Sequence, residues 1–217
     1  MKKTKLISAM LLAAVLLTAC GGAKTVDGTK SGSDAASEQT AEKTSAGGSI
    51  DVQIGSSPET MDPALNSAAD AANMILHAFT GLLTVDKNQN IVGGLAEKWE
   101  TSEDGLTWTF HLRPDLKWSD GSELTAEDFV YSWKRLADHS LAAPYGYDLL
   151  NMIEGYDKAA NGDLDGLAVS APDSSTFVVK LSNPCTYFDK IASFISTSPV
   201  QKVTVEENGD EWSTKPE

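Results

Sequence analysis

Residues 106–112 alternate between large apolar and polar side chains, in the order Leu-Thr-Trp-Thr-Phe-His-Leu. Because neighbouring side chains of a strand point to opposite faces, this period of two predicts a strand with one apolar face. Such a face has to be buried in a core. A helix with a buried stripe is predicted to follow, since these residues recur at helical spacing: Phe129, Val130, Trp133, Leu136 and Ala137.

The same periodicities predict the remaining elements. Further strands are predicted at 50–54, 82–85, 96–101, 167–170 and 176–181, and further helices at 71–79, 147–160, 187–194 and 200–208. Residues 125–128, Thr-Ala-Glu-Asp, predict a capping box at the start of the helix with the buried stripe. Hairpins mixed with helices favour an α+β or mixed α/β fold over a plain doubly wound sheet.

The first twenty residues have the features of a secretory signal. Three lysines precede the short apolar run 6–17, and Leu17-Thr18-Ala19-Cys20 follows. The cysteine at the expected cleavage point indicates a bacterial lipoprotein signal, so Cys20 is predicted to become the lipid-bearing N-terminus. An ordinary secretory signal with a chance cysteine and an uncleaved anchor remain the alternatives.

Residues 21–49 are small and polar apart from Val26, which predicts a disordered linker ahead of a folded part that begins at Ile50. The formal net charge is −14, so the surface would repel nucleic acid and anionic lipid. With Cys20 acylated, Cys185 has no partner in this chain, which excludes a disulfide framework. We expect Cys185 to be a small apolar filler rather than a reactive thiol.

Chemical motifs are weak or absent. His77, His111 and His139 lack metal-ligand spacing, and residues 161–166 resemble a calcium loop whose twelfth position is Pro172 instead of glutamate. The sequence contains no nucleophile elbow, phosphate loop or dinucleotide fingerprint. We therefore expect neither a metal, a cofactor nor a catalytic centre.

Four tryptophans fall close together, which fits either a core of large side chains or a ligand groove; they are Trp99, Trp108, Trp118 and Trp133. The core interpretation is favoured because Trp108 and Trp133 occupy core-facing positions of their patterns.

Several blocks resemble the extracytoplasmic solute-binding proteins of family 5, and within it the oligopeptide-binding proteins of ABC importers. The matching blocks are residues 94–100, 108–113, 117–121 and 125–133, with shorter matches at 60–63, 79–82 and 184–188. The resemblance spans residues 50–217. It also agrees with the lipoprotein signal, which such receptors commonly carry where there is no outer membrane.

The resemblance implies a periplasmic-binding-protein-like fold of two lobes that close on a ligand, with an α+β subdomain inserted in an α/β lobe. Residues 50–80 would open the first lobe, 81–182 would form the extra subdomain, and 183–217 would return to the first lobe. The family's full chain is more than twice as long, so the second lobe is expected to be missing and the chain to be a fragment.

The resemblance also implies capture of an extended peptide without chemistry, and its delivery to a permease. By position, the backbone of Ser67, Ala68 and Ala69 matches the segment that grips the peptide, and Tyr145 matches a tyrosine that contacts it. Ser67 departs from the acidic residue found there in well-known relatives. From the residues alone, a plain loop leading into a helix is preferred for 67–69, and Tyr145 is equally a core or surface ring.

The predicted function is therefore a monomeric receptor, lipid-anchored to the outer face of the cytoplasmic membrane, that binds oligopeptides and no nucleic acid. A family member that binds a dipeptide, a nickel chelate or an oligosaccharide is the first alternative. A secreted cell-wall hydrolase and a non-transporting surface protein that senses peptides are the others.

Overall fold

The computed structural model describes residues 51–53 and 55–214, which belong to one compact unit, residues 50–217. Within these described residues the strands are β1 (Leu83–Val85), β2 (Ile91–Gly93), β3 (Ala96–Thr101), β4 (Thr107–Leu112), β5 (Val169–Asp173) and β6 (Thr176–Lys180). The helices are α1 (Ala69–Ala78), α2 (Ala126–Ala137), α3 (Gly146–Leu150), α4 (Tyr156–Ala160), α5 (Phe188–Ala192) and α6 (Lys202–Asn208). The predicted signal and linker, including Cys20, lie outside the described residues.

A four-stranded antiparallel sheet, in the order β3-β4-β6-β5, forms the centre of the fold. The predicted alternation of β4 is confirmed, because Trp108, Phe110 and Leu112 are buried while the residues between them are partly exposed. The predicted hairpin with β3 is confirmed as well, with Trp99 opposite Phe110. Strands β1 and β2 pair in a separate two-stranded sheet.

Helix α2 covers the apolar face of the sheet, and all five residues of its predicted stripe are buried. The capping box is present, and the N–H of Thr125 donates to the Asp128 carboxylate at 2.8 Å. The ring of Trp133 meets that of Phe177 edge to face, with centroids 5.1 Å apart. Aromatic pairs of this geometry add stability beyond their buried area, so helix and sheet are joined through a rigid core.

The core interpretation of the tryptophans is right for Trp108 and Trp133, which are 7% and 0% exposed. Trp99 is only half-buried. Trp118 is half-buried too, and with Phe79 and Trp212 it lines an open cleft.

The single helix predicted for 147–160 is wrong, because the structure has two short helices, α3 and α4, separated by turns and one isolated β-bridge. In the break Ile153 bridges to Leu181, and the N–H of Glu154 donates to the Lys180 carbonyl at 2.9 Å. Gly155 then adopts φ of +79°, where a Cβ atom would collide with the carbonyl oxygen of Gly166. Pairing with the end of β6 therefore overrides the helical pattern.

The strand predicted at 50–54 is wrong for residues 51–53, which have no regular structure, and Val52 is 70% exposed. Ile50 and Ile54 lie outside the described residues. No strand of the described part pairs with residues 51–53, so the backbone hydrogen bonds that would define a strand are not made there. Strand β2 was not predicted, since its three residues Ile-Val-Gly carry no alternation.

Both outer strands of the four-stranded sheet are irregular within the described residues. The pairing of β3 with β4 shifts register between Ala96 and Lys98. The pairing of β5 with β6 shifts between Ser170 and Asp173, and Pro172 lies inside that interval. The turn of this hairpin therefore begins two residues later than the predicted 172–174, because Pro172 and Asp173 remain in the strand.

Candidate ligand-binding site

A buried turn leads into helix α1 and forms the first half of the candidate site. The carbonyl oxygen of buried Asp62 accepts hydrogen bonds from the N–H groups of Leu65 (3.2 Å) and Asn66 (3.1 Å). Its Oδ1 accepts a bond from the N–H of Ala64 at 2.9 Å. Asn66 is buried too, and its Oδ1 accepts a bond from the N–H of Ala68 at 3.0 Å. Two buried polar side chains therefore fix this backbone.

The end of this segment is exposed and carries free backbone groups. Ser67, Ala68 and Ala69 are all exposed, and Ala68 is extended, with φ −107° and ψ 141°. The N–H and carbonyl of Ser67 and the N–H of Ala69 make no hydrogen bond with other described residues. Free backbone groups on either side of an extended residue can pair with the backbone of a second, extended chain.

Arg135 of helix α2 forms a salt bridge with the carboxylate of Asp62, on which the turn depends. Its Nη1 lies 3.2 Å from Oδ1 of Asp62 and its Nη2 lies 2.6 Å from Oδ2, while Nε1 of Trp212 donates to Oδ2 at 3.1 Å. The side chains of Arg135 and Asp62 are only 14% and 2% exposed. A two-point, charge-assisted contact of this kind fixes the direction of the carboxylate as well as its position.

Tyr131, one helical turn before Arg135, is near the same pair. Burial raises the pKa of its hydroxyl, and the positive charge of Arg135 opposes that rise. The phenol therefore stays neutral at physiological pH and adds no charge to this region.

The second half of the site is an aromatic pair. The ring of Tyr145 is half-buried against the core and meets the ring of Phe194 edge to face, with centroids 5.4 Å apart. Phe194 is 38% exposed. It directly precedes a 3₁₀ turn, Ile195–Thr197, against which helix α1 packs. The aromatic pair and the segment 67–69 are thus attached to the same short stretch of chain.

Helix α2 also forms hydrogen bonds with the chain that follows Phe194, at Thr197 and Val200. The indole Nε1 of Trp133 donates to the carbonyl oxygen of Thr197 at 3.1 Å, and Oγ of Ser132 accepts from the N–H of Val200 at 2.8 Å. One helix, fixed in the core by its apolar face, therefore supports both halves of the candidate site. Arg135 supports the first half, and Ser132 and Trp133 support the second.

Comparison with known proteins identifies the family. The model of the family described as "Bacterial extracellular solute-binding proteins, family 5 Middle" matches residues 90–217, more than half of the chain. The chain belongs to this family. The resemblance inferred from the sequence blocks is confirmed.

Relatives in the family include oligopeptide-binding proteins. The chain is 41% identical over 162 residues to the periplasmic oligopeptide-binding protein OppA of Escherichia coli, which covers 73% of this chain and 30% of that protein. It is 32% identical over 215 residues to the oligopeptide-binding protein OppA of Bacillus subtilis, which covers 98% of this chain and 37% of that protein. The chain thus spans about a third of the length of these relatives.

Solved structures agree with the family and with the predicted mixed α/β class. The crystal structure of Haemophilus influenzae OppA in complex with the peptide RPPGFSPFR matches with a TM-score of 0.70 and 37% identity. The match covers 74% of this chain and 32% of that one. The predicted periplasmic-binding-protein-like class is therefore confirmed.

Residues 67 and 68 form a loop that leads into a helix, as the sequence alone predicts, and Ala69 is the first residue of α1. Tyr145 is a half-buried ring at the start of α3. Their contact with a ligand stays a prediction. The sequence did not single out Phe194 or Arg135, because their partners Tyr145 and Asp62 are 49 and 73 positions away.

The described residues contain no group of three or more His, Cys, Asp or Glu residues that could hold a metal ion. None of their helices combines the length and apolar character needed to cross a membrane.

Proposed function

We propose that this chain forms one side of an oligopeptide site in a solute-binding protein that serves an ABC importer. Membership of family 5 supports the solute-binding role. The names of the E. coli and B. subtilis relatives support peptides as the ligand class. Capture of this kind breaks no bond, so the chain would act as a receptor rather than as an enzyme.

The observation that carries the proposal is the exposed, ordered backbone of Ser67–Ala69. Free N–H and carbonyl groups on either side of the extended Ala68 suit the main chain of a peptide, which would pair with them as a strand does. Every peptide has the same main chain, so such pairing admits many sequences. Tyr145, with its ring positioned by Phe194, would contact the peptide beside this segment.

The proposed domain organisation follows the family. Residues 50–80 and 183–217 would belong to one ligand-binding lobe, and residues 81–182 to the extra subdomain. All six strands and helices α2, α3 and α4 fall within 81–182, whereas α1, α5 and α6 fall outside it. This division supports the proposal.

The proposed location is the outer face of the cytoplasmic membrane. Residues 1–20 would act as a lipoprotein signal, Cys20 would carry the lipid, and residues 21–49 would tether a monomeric receptor near its permease. The basic start, the apolar run and the cysteine of the sequence support this arrangement.

The test removes one backbone donor without disturbing the helix. Ala69 is the first residue of α1, a position that favours proline, and the extended Ala68 has the conformation that proline requires of its predecessor. In the whole protein we expect Ala69→Pro to fold normally and to bind RPPGFSPFR about 2–10-fold more weakly, the effect of one lost hydrogen bond.

Ala69→Ser is the matched control, because it keeps the N–H and should bind the peptide like the wild type. Isothermal titration calorimetry measures all three proteins. Equal affinity of Ala69→Pro and wild type would show that the segment does not pair with peptide. Binding of a dipeptide, a nickel chelate or an oligosaccharide in place of oligopeptides would refute the proposed ligand class.

A further inference from the structure

Asp62 has more hydrogen bonds than a simple turn requires. Its carbonyl and one carboxylate oxygen hold the turn itself through Leu65, Asn66 and Ala64. Both carboxylate oxygens also face outward from the turn, toward Arg135 and Trp212. One buried residue thus links the local turn to helix α2.

Hydrogen bonds also connect Asp62 to the exposed segment, residues 67–69. The carbonyl of Asp62 orients Asn66, whose side chain in turn accepts from the N–H of Ala68 at 3.0 Å. Ala68 lies between the two residues whose free backbone groups face outward, Ser67 and Ala69. A displacement of Asp62 therefore moves the backbone that would receive a peptide.

Arg135 lies on a helix that is held rigidly in the core, so it can fix the position of Asp62 and of the residues hydrogen-bonded to it. Its neighbours on α2, Trp133 and Leu136, are 0% and 1% exposed, so the helix cannot rotate without disrupting the core. The guanidinium contacts both oxygens of Asp62, which sets the carboxylate plane, whereas an ammonium would supply only a point charge.

We propose that Arg135 is a positioning residue for the peptide-binding backbone of residues 67–69, and that it acts through Asp62. This inference rests on the proposed function. Arg135 itself touches no peptide; it holds the turn in the one arrangement that presents the free groups of Ser67 and Ala69.

The informative variant is Arg135→Lys, because the retained charge still satisfies the buried carboxylate and allows the protein to fold. We expect faster amide hydrogen exchange in peptides that span residues 62–69, measured by mass spectrometry on the whole protein. We also expect binding of RPPGFSPFR to weaken about 2–10-fold, because a displaced segment would weaken its hydrogen bonds to the peptide. Arg135→Met should show larger changes of both kinds.

Val130→Ala is the matched control, since Val130 is a buried residue of the same helix and is not among the hydrogen-bond partners of Asp62. It should lower the melting temperature while leaving exchange at 62–69 and peptide affinity unchanged. The proposal is overturned if Arg135→Lys exchanges and binds like the wild type, or if Val130→Ala loosens 62–69 equally. Should the wild type bind no peptide, the proposed function fails, and exchange alone still decides whether Arg135 positions the segment.

Discussion

Two buried tryptophans of the same core differ in their hydrogen bonding, and this difference predicts opposite responses to the same substitution. Trp133 donates its indole N–H to the Thr197 carbonyl at 3.1 Å. The indole N–H of Trp108 is buried without a hydrogen-bond partner among the described residues. Replacing either residue with phenylalanine removes the N–H and shortens the ring system by the same three heavy atoms.

The packing loss is similar at the two positions, about 2 kcal/mol for three buried atoms. Trp133→Phe also leaves the Thr197 carbonyl without its partner, which costs about 1–3 kcal/mol more and brings the total to about 3–5 kcal/mol. Trp108→Phe instead removes an unpaired donor and regains about 1–3 kcal/mol, so its net effect is within about 1 kcal/mol of zero. The two variants should therefore differ in stability by about 2–6 kcal/mol.

Urea unfolding followed by far-ultraviolet circular dichroism measures the difference, since the substitutions alter tryptophan fluorescence. We expect the urea midpoint of Trp133→Phe to fall by about 1–2 M and that of Trp108→Phe to change little. Equal losses of stability would refute the reasoning, because they would mean that the Trp133 bond contributes nothing beyond packing.

Two further predictions concern a carboxyl group and the N-terminus. Burial raises the pKa of Asp128, so the folded state binds the proton of this carboxyl group more tightly than the unfolded state does. The free energy of unfolding of the wild type, compared with that of Asp128→Asn, should therefore fall as the pH rises from about 3 to 6. Urea midpoints at several pH values measure this, with Glu127→Gln as an exposed control; a difference that grows with pH would contradict it. Cys20→Ser should abolish lipid attachment in a bacterial host and release the protein from membranes, as detected by mass spectrometry and fractionation, whereas an unlipidated wild type would disprove the proposed anchor.

The elements that could be predicted are those whose residues carry their own periodicity. The alternation around Trp108 and the stripe around Trp133 determine strand β4 and helix α2, because each pattern has a face large enough to require burial. Thr125 and Asp128 also predict the start of α2, because a capping box depends only on residues three positions apart in the sequence.

Features that depend on distant partners could not be predicted. The break near Ile153 exists because Leu181 pairs with it, and the local pattern of 147–160 is equally compatible with one helix. The buried pair of Asp62 and Arg135 joins positions 73 residues apart, so neither sequence neighbourhood indicates the other. The family resemblance therefore indicates Ser67–Ala69 and Tyr145 as candidates, whereas their supporting residues Arg135 and Phe194 become apparent only in the fold.

The irregular outer strands of the central sheet have a consequence for how copies of this chain meet. Pro172 offers no donor to an incoming strand, and the charged residues Lys98 and Glu100 line the opposite border. Both features disfavour the addition of a strand from a second molecule at these borders, and amyloid-like growth depends on such pairing. Sheets with such borders are less prone to fuse when copies of the chain lie close together.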